Sequence, residues 1–114
     1  MTRLAIGVLA VTALGAADIG VRARSILNRR CLACHNNQLN DGGISFEDRA
    51  TLLKGGSRGP AIVPGAPERS FLIEAVGRAG EVKMPPGRPL KGREIRVLTG
   101  WIKDGAPWPE AGSK

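Results

Sequence analysis

Five consecutive residues, Cys31-Leu32-Ala33-Cys34-His35, constrain this chain more than anything else in it. Two thiols three positions apart stand about one helical turn from each other, since a turn takes about 3.6 residues. They therefore face one side and reach two points on the same partner. The pattern is the attachment signature of a c-type haem. Each thiol reaches a vinyl group on one edge of the macrocycle, and His35 follows at once, carrying its imidazole to the iron as the proximal ligand. Other uses of C-x-x-C are a redox dithiol and half of a structural zinc site. The chain holds two Cys and one His, all inside the motif, so a closed four-ligand Cys/His zinc site is not available. A thioredoxin-like dithiol wants a βαβ setting, whereas the flanking sequence is rich in Gly and Pro and poor in strand signals. A Cys31–Cys34 disulfide remains geometrically open but closes only a tiny loop.

A large flat apolar cofactor also answers a problem of size. At 114 residues the chain is one domain, and a domain of this size buries only about 60–70% of its unfolded surface. Its aromatic residues are Phe46, Phe71, Trp101 and Trp108, with no Tyr. Aromatic rings carry much of a core's buried area, so a haem would supply what the sequence lacks. The 16 Gly and 8 Pro predict long ordered loops rather than disorder.

Residues 1–17 read as a secretory signal peptide. Arg3 gives a positive start, Leu4 to Leu14 is an apolar run, and Ala13 to Ala17 offers small residues for cleavage after Gly15 or Ala17. The run suits a signal core and falls short of the about 20 residues of a membrane span. The cytochrome domain would then occupy 18–114. Membrane association is expected only if the N-terminal segment stays uncleaved. Export agrees with the motif, because covalent haem attachment takes place outside the bacterial cytoplasm, so a periplasmic or otherwise extracytoplasmic location is expected. Removing Arg3 lowers the formal charge from +7 to +6. A basic surface steers a protein toward an acidic partner and speeds encounter. Nucleic acid is a poor candidate, as no aromatic–basic interleaving is present.

Four helices are predicted. Residues 18–30 carry Ile19, Ala23, Ile26 and Leu27 on one stripe, with Asp18 as N-cap. Asn36 to Ile44 is a turn-rich loop. Ser45 opens a short helix to about Lys54, with Asp48 bonding back to the cap, and Gly55-Gly56 ends it. Ser57 to Pro67 is irregular, with Ala61-Ile62-Val63 as an apolar loop whose carbonyls suit the His35 Nδ1–H. Pro67 starts a third helix with Phe71, Leu72, Ala75 and Val76 as core. Residues 90–104 form the last helix, whose face of Ile95, Leu98, Trp101 and Ile102 is expected to cross the first helix near Ile26 and Leu27. Gly100 permits close approach there, and Gly105, Pro107 and Pro109 stop the helix. The tail Glu110 to Lys114 is expected to fray.

Lys83-Met84-Pro85-Pro86-Gly87 is the second informative stretch. Met84 is the only methionine besides the initiator. A Met in a proline-stiffened loop is badly placed for core packing and well placed to present a thioether. If the haem is present, Met84 is the candidate distal ligand, with an open site or Lys83 as the competing readings. Sulfur opposite histidine favours ferrous iron and raises the potential.

With these pieces in order, the chain resembles the planctomycete-type cytochrome c domain family, within the class I-like mono-haem c-type cytochromes. The resemblance rests on Cys31-Leu32-Ala33-Cys34-His35, Gly42-Gly43-Ile44, Gly55-Gly56, Val63-Pro64-Gly65, Ser70-Phe71-Leu72, Met84-Pro85-Pro86 and Trp101-Ile102-Lys103-Asp104-Gly105-Ala106-Pro107-Trp108. It implies an all-α fold of about four helices and ordered loops around one covalently bound haem c. It implies Cys31 and Cys34 as thioether sites and His35 and Met84 as axial iron ligands. Such domains often occur fused to larger extracytoplasmic proteins. Here the domain is expected to meet an acidic-surfaced redox partner as a separate molecule.

The leading functional expectation is one-electron transfer. The alternative is small-ligand binding or sensing, or peroxidase-like chemistry, if Met84 does not ligate iron. A third reading is a haem-free interaction module closed by a Cys31–Cys34 disulfide. No triad or carboxylate pair suggests an independent catalytic site, since Glu47, Asp48 and Asp104 read as solvated helix residues. An electron carrier rather than an enzyme is expected.

Overall fold

The computed structural model describes residues 15–31, 45–78, 80 and 82–109. The expected loop at 36–44, the tail expected to fray and most of the expected signal segment lie outside the described residues. Among the described residues four α-helices run in order: α1 Gly15–Arg30, α2 Arg49–Lys54, α3 Phe71–Val76 and α4 Gly92–Lys103, with a 3₁₀ turn at Pro67–Arg69 before α3. The described residues contain no β-strand, only an isolated antiparallel bridge between Gly56 and Gly59. The expected all-α class is the class found.

The two long helices, α1 and α4, make the most extensive contact between elements. The stripe expected on α1 is the one that is buried: Ala23, Ile26 and Leu27 are inaccessible or nearly so, and Ile19 packs at the edge. From α4 come Leu98, Trp101 and Ile102, all at 0% exposure, while Ile95 is half-buried. Burying an aliphatic side chain of this size contributes about 1.5–3 kcal/mol, so this seam is the main stabilising contact. Gly100 is where the helices approach closely. A methyl group added there would stand 3.2 Å from Ile19 Cδ1.

Past α4 the chain turns back over α1. Gly105 adopts φ 96° and Ala106 φ 55°, and the Ala106 N–H donates to the Trp101 carbonyl at 2.8 Å. Trp101 Nε1 donates to the Pro107 carbonyl at 2.7 Å. Trp108 then lies 6.2 Å from Trp101, ring to ring, under the Arg24 guanidinium at 4.3 Å. Arg24 also donates to the Pro109 carbonyl. Gly20 on α1 makes room for this return, because a Cβ there would meet Pro109 Cδ at 2.9 Å and the Pro107 carbonyl oxygen at 3.1 Å.

All four helices differ in their bounds from the sequence expectation; the last runs Gly92–Lys103 rather than 90–104, because Lys91 is extended and stands as its N-cap. The first helix begins at Gly15, inside the segment assigned to the signal peptide, so Asp18 is not its N-cap. Ala16 and Ala17 are strong helix formers and extend the helix upstream; Asp18 instead sits on the exposed face, 3.9 Å from Arg22. The second helix starts at Arg49 rather than Ser45. Asp48 is the cap itself, accepting the Thr51 N–H at 2.9 Å. Ser45 is spent locally: its hydroxyl accepts the Glu47 N–H and its carbonyl accepts the Thr51 hydroxyl. Asp48 is therefore a capping residue, not merely a solvated one. The third helix is divided at Ser70, which is buried and bonds outward through its side chain. Its hydroxyl accepts the Val63 N–H at 2.8 Å and donates to the Ala66 carbonyl at 3.0 Å. Phe71 is only half-buried, while Leu72, Ala75 and Val76 form the core as expected.

The irregular stretch after α2 is tied down by backbone bonds. Gly55 closes α2 at φ 77°, where a side chain would strike the Gly59 backbone. Ala61 and Ile62 both donate to the Leu52 carbonyl, and Leu72 donates to the Ala61 carbonyl. Ala61 and Ile62 are each 1% exposed, so the loop expected to be apolar is part of the core.

Candidate cofactor site

Cys31 closes α1. Its N–H donates to the Leu27 carbonyl at 3.0 Å, which continues the helical bonding to the first residue of the C-x-x-C-H motif. The residue is half-buried and packs against the core. Cys34 and His35 lie outside the described residues.

The end of α1 is anchored by the residue just before the thiol. Arg30 Nη1 lies 3.1 Å from Glu94 Oε1 at the start of α4. Arg30 Nη2 donates to the Arg88 carbonyl at 2.8 Å and to the Pro89 carbonyl at 3.3 Å. Glu94 is 8% exposed and accepts the Lys91 N–H at 2.8 Å, three residues back in the manner of a capping carboxylate. Arg29 stands 3.5 Å from its other oxygen. The Lys91 N–H bond first, then the two arginines, hold the Glu94 carboxyl below the ordinary carboxylate range, against the opposing pull of burial.

Met84 stands at the other described end of the site. It is half-buried in an irregular segment, and its N–H donates to the Ala75 carbonyl of α3 at 3.1 Å. The Met84–Pro85 peptide bond is cis. Arg78 Nη1 donates to the Pro85 carbonyl at 3.0 Å. Lys83, the competing ligand in the sequence reading, is exposed and donates through Nζ to the Gly80 carbonyl at 2.7 Å.

The structure thus joins the helix end that bears Cys31 to the segment that follows Met84, through the Arg30 guanidinium. The donor set fits a c-type haem as far as it is described. A half-buried thiol ends a helix beside the apolar core, and a neutral thioether sits on a loop tied to α3. Among the described residues, no three His, Cys, Asp or Glu side chains converge on a metal position.

Sequence reasoning missed Arg30, Glu94 and Arg78. Arg30 and Glu94 are 64 positions apart, and no spacing rule links them. The Lys91-to-Glu94 interval was the one local signal, being a cap-to-third-residue spacing. Arg78 adopts φ 58°, a conformation that sequence assigns to Gly or Asn, so nothing marked it.

An all-α shell, a C-x-x-C-H motif opening at a helix end and a methionine on a proline-rich loop define a c-type cytochrome. The sequence profile of the planctomycete cytochrome C family matches residues 31–87, from the first thiol to just past the Met-Pro-Pro segment. The match spans half of the chain, and the chain belongs to that family. No curated protein and no solved structure matches it.

Proposed function

We propose that this cytochrome is an extracytoplasmic one-electron carrier with a single covalently held haem c. Cys31 and Cys34 are its thioether sites, and His35 and Met84 its axial ligands. A haem held here supplies one-electron chemistry at its iron. The observation that carries the reading is the placement of Met84. Its N–H is bonded to the Ala75 carbonyl of α3, and the carbonyl of the next residue, Pro85, accepts from Arg78, so the thioether is presented by a braced loop rather than packed as core. Held by His35 and Met84, a haem iron would have its ligands supplied by the chain itself, which favours electron transfer over chemistry that needs a free position.

Residues 1–17 are proposed as the export signal, with cleavage after Gly15 or after Ala17. No described helix is long and apolar enough to cross a membrane. An acidic-surfaced redox protein is the proposed partner. In support, α1 and α4 border an open groove of about 380 Å³ lined by Arg22, Arg29 and Arg93 against the single carboxylate of Glu94, with Val21, Ile26 and Val97 as its apolar part.

The test is a redox titration of the haem-loaded protein combined with ligand challenge. A reversible one-electron wave, with no uptake of carbon monoxide by the reduced protein and no rapid reaction with peroxide, is expected. Rapid binding of carbon monoxide or turnover of peroxide would replace electron transfer with ligand binding or peroxidase-like chemistry.

A further inference from the structure

The segment from Met84 to Pro89 has a supply problem. Pro85, Pro86 and Pro89 have no N–H, so the segment has few donors with which to satisfy its own carbonyls. Three of those carbonyls are met by arginine side chains from elsewhere. Arg78 reaches Pro85 at 3.0 Å, and Arg30 reaches Arg88 at 2.8 Å and Pro89 at 3.3 Å. The two arginines come from opposite directions, Arg78 from just after α3 and Arg30 from the end of α1.

Arg78 occupies an unfavourable backbone position to do this. Its φ of 58° lies in the left-handed region, where a side chain other than Gly, Asn or Asp is disfavoured. A residue held in such a conformation points to a local role that offsets the cost. The geometry supplies that role. The Ala75 carbonyl accepts both the Arg78 N–H at 3.2 Å and the Met84 N–H at 3.1 Å. The left-handed turn at Arg78 therefore closes the loop at its base, and the guanidinium closes it again one residue beyond Met84.

We infer that Arg78, with Arg30 as the second support, is a positioning residue that holds Met84 against the iron. This rests on the reading of Met84 as axial ligand. The two guanidinium groups act on the backbone that follows Met84, at Pro85, Arg88 and Pro89, and not on the iron itself. The purpose of this clamp is to keep the sixth position closed: when the clamp is removed, Met84 leaves more readily and an external ligand enters more easily.

Imidazole is the probe. Its affinity for the oxidised haem protein is measured optically for the wild type, Arg78→Gly, Arg78→Lys and Met84→Ala. Glycine removes the guanidinium but suits φ 58°, so Arg78→Gly keeps the fold, checked by far-UV circular dichroism and haem content. The expected result is imidazole binding about tenfold tighter in Arg78→Gly, the equivalent of losing one charged hydrogen bond. Arg78→Lys is expected to fall between it and the wild type. Faster hydrogen exchange at the Met84 N–H is expected in Arg78→Gly, and a merely structural role elsewhere would not produce it. Unchanged imidazole affinity and unchanged Met84 exchange in Arg78→Gly, while Met84→Ala binds imidazole far more tightly, would overturn the clamp alone. Wild-type imidazole affinity in Met84→Ala itself would overturn the ligand reading on which the clamp rests.

Discussion

The seam between the terminal helices and the segment that carries Met84 are built on different principles. The seam is apolar and close-packed: Leu27, Leu98, Trp101 and Ile102 are 1% exposed or less, and Gly100 removes a side chain so that Ile19 fits. The Met84 segment has no regular structure, lies half-buried or exposed, and is held by a few polar ties. Apolar burial is non-directional and sums over many contacts, so it suits a frame that must simply stay shut. A hydrogen bond fixes direction, and direction is what an axial ligand needs. Arg30 connects the two regions, because its guanidinium serves Glu94 at the seam and the Arg88 and Pro89 carbonyls on the loop.

The comparison breaks most clearly at Trp101. Trp101→Ala removes a fully buried ring from the seam and also the bond to Pro107 that turns the chain back. A loss of about 3–5 kcal/mol is expected by urea unfolding, a large part of the about 5–15 kcal/mol that holds a domain together. A loss below about 1 kcal/mol would mean the seam is not the frame.

Glu94→Gln tests the connection between the two regions. It keeps an acceptor for the Lys91 N–H but removes the charge facing Arg30 and Arg29. A loss of about 1–3 kcal/mol is expected at neutral pH. The pH dependence has a definite sign. The folded pKa of Glu94 lies below its unfolded value, so its contribution is present above the ordinary carboxylate range. It is lost as pH falls through the lowered folded value. Acid unfolding of the wild type therefore includes a component that Glu94→Gln lacks, and superimposable acid profiles would contradict this role.

The smallest expected effect is at the short second helix. Asp48→Ala removes the side-chain cap of α2 and should cost about 1 kcal/mol, measured as a shift in urea midpoint. It should leave the haem spectrum unchanged, because Asp48 caps a helix remote in sequence from the ligand loop. A changed spectrum would mean that α2 takes part in the site.

What could be read in advance follows the same division. Periodicity found the α1 stripe, the α4 face and their crossing, because those depend on repeated apolar spacing that one sequence displays. Single-residue logic singled out Cys31 and Met84 as candidates, because few residues can do the chemistry proposed for them. The helix starts at Asp18 and Ser45 were misplaced for local reasons: Ala16 and Ala17 carry the first helix upstream of Asp18, and Asp48 rather than Ser45 wins the cap of the second. Arg30, Glu94 and Arg78 were invisible because their roles exist only once separate parts of the chain meet. An arginine that serves a carbonyl 58 positions away has no sequence pattern, and a left-handed Arg78 runs against the pattern that sequence would suggest.

The most direct test of the account is made on protein exported in a host with haem-maturation machinery. Its mass is measured after denaturation, and the optical spectrum of the oxidised protein is compared between wild type and Met84→Ala. The account predicts one haem retained per chain, and a sulfur-to-iron charge-transfer band present in the wild type and absent from Met84→Ala. A chain that leaves denaturation without haem, or a wild type that lacks the band, would contradict it.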